Sequence, residues 1–282
     1  MKFIVDQPTR VLDLLVQKLK LSSVTKARNL LKEGSVQVDG KAIVKGDTML
    51  AGGQTLTIKK VDRSVRKIRT APFEIMLNDE AVVVAVKPSG LLSVNRDGER
   101  SQTFILKLSE YLGERLYVVH RLDREVSGLM IFAKSLQVQK TLEAGWYENE
   151  KIYLAFVEGA PPKNEGTIES WLVENAALRV YSASDPENSR HLNARHAVTH
   201  YRVLKKGKGH SLVEVTLQTG RKHQIRVHLA ELGCPIAGDK KYGARSDPYK
   251  RIALHATRFC FKHPVTGERL SFDSPSPFSP KI

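Results

Sequence analysis

The stretch Tyr117-Val-Val-His-Arg-Leu-Asp-Arg-Glu-Val-Ser-Gly-Leu-Met-Ile-Phe-Ala-Lys134 constrains the fold more than any other part of the chain. Its ends, Tyr117–Val119 and Leu129–Ala133, are apolar runs that predict buried strands. Between them lies a loop carrying His120, Arg121, Asp123, Arg124 and Glu125. Two buried strands make a rigid support, and polar side chains held on such a support are where proteins commonly place chemistry. Asp123 is the strongest candidate, because arginines on either side favour its ionised form, which can act as a nucleophile or as a base. Ser127-Gly128 predicts a tight turn into the second strand. Spacing alone leaves a plainer alternative open, a hairpin loop with a solvated ion pair.

A chain of 282 residues has room for one large domain, or for a small one and a large one. Its formal charge of +15 points to a polyanionic partner: RNA, DNA or an acidic membrane surface. Residues 1–69 carry 15 Lys and Arg against 6 Asp and Glu, so the first quarter is the most basic part. Cys234 and Cys260 form no metal-like pattern and suit a reducing compartment. No run of about 18 apolar residues occurs, so a soluble, cytoplasmic protein without a membrane partner is expected.

Val11, Leu12, Leu14, Leu15 and Leu19 form an apolar stripe at helical spacing. Ser22 or Ser23 can cap a second helix with Val24, Ala27, Leu30 and Leu31 on its stripe, Arg28 and Lys32 one turn apart outside, and Gly34 at its end. Asp39-Gly40 between Ser35–Val38 and Lys41–Val44 is a hairpin signal. Two short helices on a small sheet with basic residues outside make an RNA-binding candidate; a merely solvated helix face is the alternative. A basic linker, residues 61–72, follows and either touches phosphates or is only solvated.

Beyond it, Ala81–Val86 reads as a strand and Leu136–Asn149 as an amphipathic helix. In Lys151–Val157, period two puts Tyr153 opposite Ile152, Leu154 and Phe156, as for any half-buried sheet tyrosine. Residues 160–195 show little pattern and predict substrate-contacting surface loops. His191, His196 and His200 lack a metal-like partner set. Thr199–Leu204 and Leu212–Leu217 read as strands around the basic loop Lys205–Gly209, which suits phosphate contact. Gln218–Ala230 then turns from strand to helix, with Gly220 permitting the turn and Ile225, Leu229 and Leu232 buried. Residues 274–282, with three prolines, read as a tail.

His120-Arg121-Leu122-Asp123-Arg124, with Ser127-Gly128-Leu129 and Ala133-Lys134, closely resembles the signature of the RluA-type pseudouridine synthases. Lys87–Leu91, Lys151–Val157, Thr219–Arg226, Gly238-Asp239 with Tyr242-Gly243, and Leu254-His255-Ala256 extend the resemblance across most of residues 73–273. Arg28–Gly40 resembles the S4 RNA-binding domain, over about residues 1–60. The implied fold is α+β: a small N-terminal S4-like domain, then a catalytic domain with a mixed, mainly antiparallel central sheet flanked by helices and loops.

The resemblance implies Asp123, Arg221 and Tyr153 as catalytic residues, with Arg221 pairing the aspartate and Tyr153 stacking on the base. It implies Arg121, His120, Ile225 and Lys87 as substrate contacts, Arg121 filling the space left by a flipped uridine. Val126 stands where the family has threonine, which removes a hydroxyl from the loop. The implied reaction exchanges no electrons or external groups, so neither cofactor nor metal is expected, and the protein should act as a monomer on large-subunit rRNA, a substrate that synthases with an S4-type extension often take, with tRNA as the alternative. A non-catalytic RNA-binding or ribosome-assembly protein and an RNA N-glycosidase are the rivals.

Overall fold

The computed structural model describes residues 2–19, 24–32, 36–43, 45–58, 72–95, 102–183 and 193–278. The chain divides into two units, Met1–Thr70 and Ala71–Ile282. The first contains β1 (Lys2–Ile4), β2 (Thr9–Arg10), α1 (Val11–Lys18), α2 (Val24–Lys32), β3 (Val36–Val38), β4 (Lys41–Ala42), β5 (Met49–Leu50) and β6 (Thr55–Ile58). Its four-stranded sheet has the order β1-β6-β3-β4, while β2 pairs with β5.

The helical stripe packs as its spacing demands. Val11, Leu14 and Leu15 of α1 and Ala27 and Leu31 of α2 are buried with Val36, Val38 and Leu56. Asp39 and Gly40 take φ of 47° and 83°, the two left-handed residues of a tight hairpin. The Asp39 carboxylate also accepts from the Thr55 N–H at 2.9 Å, tying the turn to β6. Arg28 is exposed. Ser22, Ser23, Gly34, the Lys32 side chain and nearly all of the expected linker lie outside the described residues.

The second unit contains β7 (Ile75–Asn78), β8 (Val82–Lys87), α3 (Phe104–Leu112), β9 (Tyr117–Val118), β10 (Ser127–Ala133), α4 (Leu136–Ala144), β11 (Glu150–Glu158), β12 (Glu165–Glu174), β13 (Val180–Ser182), β14 (Arg195–Lys206), β15 (His210–Leu217), α5 (Gln224–Glu231), β16 (Leu254–Lys262) and β17 (Arg269–Asp273). Eleven strands join in one sheet, ordered β13-β12-β14-β15-β11-β16-β10-β8-β7, with β17 on β16 and β9 on β10. Its pairings are antiparallel except β10 with β16, which makes the sheet mixed and mainly antiparallel.

The sheet separates two apolar cores, which explains why its central strands show no polar alternation. Val83, Ala85, Met130 and Phe132 pack on one face with Phe104 and Leu108. Val82, Val84, Leu129 and Ile131 pack on the other with Leu142, Phe259 and Phe261. Strands buried on both sides hold the Asp123 loop at their ends.

Several local expectations change. Ser127 and Gly128 begin β10 rather than forming the turn. Gly128 is required by close approach, since at φ 123° an added Cβ would lie 2.3 Å from the Ala256 carbonyl oxygen of β16. The helix from Leu136 stops at Ala144, before a short 3-10 turn at Trp146–Glu148. Within the supposed loop region, Glu165–Glu174 is a ten-residue strand paired along β14. The residue that turns the chain into α5 is His223, at φ 55°, rather than Gly220. No helix among the described residues is long and apolar enough to cross a membrane.

Candidate active site

Asp123 lies in the loop that joins β9 to β10, on the wall of a cavity of about 90 Å³ that opens to solvent. Tyr153 of β11, Leu217 at the end of β15, and Arg221, His223, Ile225 and Arg226 in and before α5 line the same space. The loop is pinned from below. Gly90 N–H donates to the Arg124 carbonyl at 2.8 Å, Arg124 Nε returns a bond to the Gly90 carbonyl, and Ser93 Oγ donates to the Leu122 carbonyl. Beside it, the Val126 side chain is buried in the apolar core. Among the described residues no buried side-chain nitrogen or oxygen lacks a partner, so valine here strands no polar side chain.

The guanidinium that meets Asp123 belongs to Arg226. Its Nη1 donates to Asp123 Oδ2 at 3.1 Å, while Nε and Nη2 grip both oxygens of Asp239 at 2.7 and 2.9 Å. Arg226 is 4 % exposed and Asp239 1 %, so the bidentate pair is a fixed part of the interior. Burial alone would make the guanidinium a stronger acid, but Asp239 and Asp123 outweigh it and raise its pKa. The cation also lies 5.1 Å from the Tyr242 ring centroid.

The expected pairing of Asp123 with Arg221 is therefore corrected. Arg221 lines the cavity, but its Nε donates to the His196 carbonyl at 2.9 Å. Its backbone N–H donates to Gln224 Oε1, which also accepts from Thr219 Oγ1. Gln224 thus closes the turn and sets where Arg221 can reach. The arginines beside Asp123 in sequence do not pair with it either. Arg124 turns to Gly90, and Arg121 is exposed without a hydrogen bond or ion pair among the described residues.

Tyr153 and Ile225 lie where a substrate contact requires, on the cavity wall. Burial, reinforced by the Asp123 carboxylate, pushes the Tyr153 phenol up, so it stays neutral. His120 is not in the cavity. Its ring packs at 4.6 Å on Trp146 and 5.7 Å on Phe259, rings of the opposite core, and its Nε2 accepts from the Ile131 N–H. Burial pushes its pKa down to about 3, with Lys151 adding to the fall. Lys87 does not reach the cavity either. Fully buried, it donates to the carbonyls of Pro88, Leu91 and Arg124, which accounts for all three ammonium protons. Burial lowers its pKa to about 7, against the pull of Asp123 and Glu125.

Three contributors escaped the sequence reading: Arg226, Asp239 and His223. A signal existed for the first. Arg226 lies beside Ile225 and Leu229 on a helix whose first six residues are buried, and a buried cation demands a carboxylate partner. His196 and His200, considered as metal ligands, bond to Glu169 and Thr167; His191 lies outside the described residues.

The model of the RNA pseudouridylate synthase family matches residues 81–231, more than half of the chain and including Asp123 and Arg226. A relative from Neisseria meningitidis, "Ribosomal large subunit pseudouridine synthase D", is 34% identical over 94% of this chain and 75% of its own. A Bacillus subtilis relative, "Uncharacterized RNA pseudouridine synthase YlyB", is 31% identical over 90% and 86%. Among solved structures, human RNA Pseudouridylate Synthase Domain Containing 4 superposes with a TM-score of 0.59 at 27% identity, over 72% of this chain and 88% of that one. By motif, fold and likeness along most of its length, the chain belongs to the RNA pseudouridylate synthase family.

Proposed function

We propose that Asp123 is the catalytic carboxylate of a synthase that isomerises uridine in large-subunit ribosomal RNA. The observation that carries this reading is its placement, on a cavity wall with Oδ2 held by a buried arginine. The reaction breaks the N1–C1′ bond, turns the uracil and joins C5 to C1′; the C5 proton leaves and N1 gains one. Nothing is oxidised or reduced. Asp123 acts at the ribose, as a nucleophile on C1′ or as a base towards a sugar proton, and either route uses the carboxylate whose Oδ2 Arg226 holds. Tyr153, neutral, offers its ring to the uracil once the uridine is flipped out of its stack. Arg121, exposed on the cavity wall, is the side chain that takes the vacated space.

The substrate assignment is supported by the name of relatives such as the Neisseria protein and by the basic first unit, which we read as an S4-like RNA-binding domain. A cytoplasmic monomer completes the reading. The test uses RNA tritiated at uridine C5, taken from cells lacking the gene. Release of label to water, with the base still attached and lost in Asp123→Asn, supports it. Free uracil would mean N-glycosidase chemistry instead, and release from tRNA but not rRNA would overturn the substrate assignment. Absence of release from both would end the synthase reading.

A further inference from the structure

The Asp123 carboxylate meets its nitrogen partners through one oxygen. Arg226 Nη1 is 3.1 Å from Oδ2 and His223 Nε2 is 3.6 Å from the same atom. Oδ1 accepts no hydrogen bond among the described residues. We propose that His223 is a positioning residue for the isomerisation: as the Nε2–H tautomer it joins Arg226 in holding Oδ2, and so leaves Oδ1 as the oxygen that acts at the ribose. This rests on the reading of Asp123 as the catalytic carboxylate.

The hydrogen bonds behind the ring fit that tautomer. His223 Nδ1 lies 2.7 Å from the Tyr242 hydroxyl, and that hydroxyl already accepts the Val180 N–H at 3.2 Å. With the phenolic proton given to Nδ1, Nδ1 is the acceptor and the imidazole proton stands on Nε2. The reverse tautomer would turn a lone pair on Nε2 towards a carboxylate. A charged imidazolium is disfavoured as well. Burial pushes His223 down to about 4; Asp123 pulls the other way, while Arg226, Lys241 and Lys222 add to the fall. At neutral pH the ring is a neutral donor with one N–H.

The backbone supports the same role. His223 holds the left-handed φ of 55°, uncommon for a residue with a side chain, immediately before α5. Strained positions of this kind persist where the surroundings enforce them and cluster at sites of function. The 3.6 Å separation is longer than a hydrogen bond. Catalytic contacts are often long without substrate and tighten when it binds, so the contact is expected to close around bound RNA.

The test compares full-length wild-type protein, His223→Asn and His223→Gln by tritium release from the RNA described above. Asparagine tolerates the left-handed backbone, and its amide can reach Tyr242 but falls short of Asp123. H223N is expected to lose roughly tenfold or more in kcat, with KM changed less than about twofold. Glutamine, whose Nε2 can take the place of the imidazole Nε2, should recover kcat to within about threefold of wild type. A folded H223N with unchanged kcat would overturn the proposal, as would a loss confined to KM or one equal in both variants. Asp123→Asn run in parallel separates the two readings, since activity retained there would sink the catalytic carboxylate itself.

Discussion

On one face of the sheet formed by β8 and β10, His120 packs its ring with Trp146 and Phe259; Asp123, three residues later, opens onto a cavity with Tyr153 and Ile225 on the other side. The two regions share a loop and almost nothing else. Burial pushes both His120 and His223 well below the ordinary range, to about 3 and about 4. Only His223 faces a carboxylate across open space. A depressed imidazole therefore marks a buried ring, and it marks a functional one only when a reacting group and a cavity stand in front of it.

That contrast can be broken in four ways. The largest effect is expected on the cavity side: Asp123→Asn should cut tritium release by about 10³-fold or more, while the melting temperature stays near that of the wild type. Next, Arg226→Met strands the buried Asp239 carboxylate and should cost about 3–5 kcal/mol in denaturant unfolding, together with activity. Arg221→Met removes a donor from the His196 carbonyl and should cost only about 1 kcal/mol. Equal losses of stability in the two variants would show that the structural partner of the site has been misassigned.

A third prediction concerns acid. His228, held by Thr199 and Ser170, and His255, held by Ser127 and Ser274, are buried with pKa values pushed down to about 4, chiefly by burial. Their folded values lie below the ordinary value of about 6.5, so the unfolded chain takes up the protons first. The stability they confer is complete above pH 6.5 and lost as pH falls towards 4, by up to about 1.4 kcal/mol per pH unit for each ring. Urea midpoints at pH 7 and pH 5 measure this, and equal midpoints would refute it. The smallest effect belongs to the sealed face: His120→Phe leaves the Ile131 N–H without its acceptor and should cost about 1 kcal/mol, with kcat within about twofold of wild type.

Much of the fold was legible. The unbroken apolar runs Val82–Ala85 and Leu129–Ala133 announced strands buried on both faces, Asp39-Gly40 announced its hairpin, and the α1 stripe announced its buried side. Period two also placed Tyr153 in a strand, although there both faces are covered and Phe156 shares a core with Ala155. Residues 165–174 were not legible, because a strand whose residues alternate between half-buried and exposed for most of its length shows little apolar pattern.

The site divides along the same line. Local sequence determined that a carboxylate would stand in a charged loop between rigid strands, because strand propensity and apolar runs act over neighbouring residues. Which cation grips that carboxylate, which way the neighbouring histidine turns, and that Lys87 serves three carbonyls rather than a substrate were decided by tertiary structure alone. Arg226 stands 103 positions from Asp123, and electrostatic pairing depends on distance in space, which only the folded sheet and the docking of α5 bring to 3.1 Å.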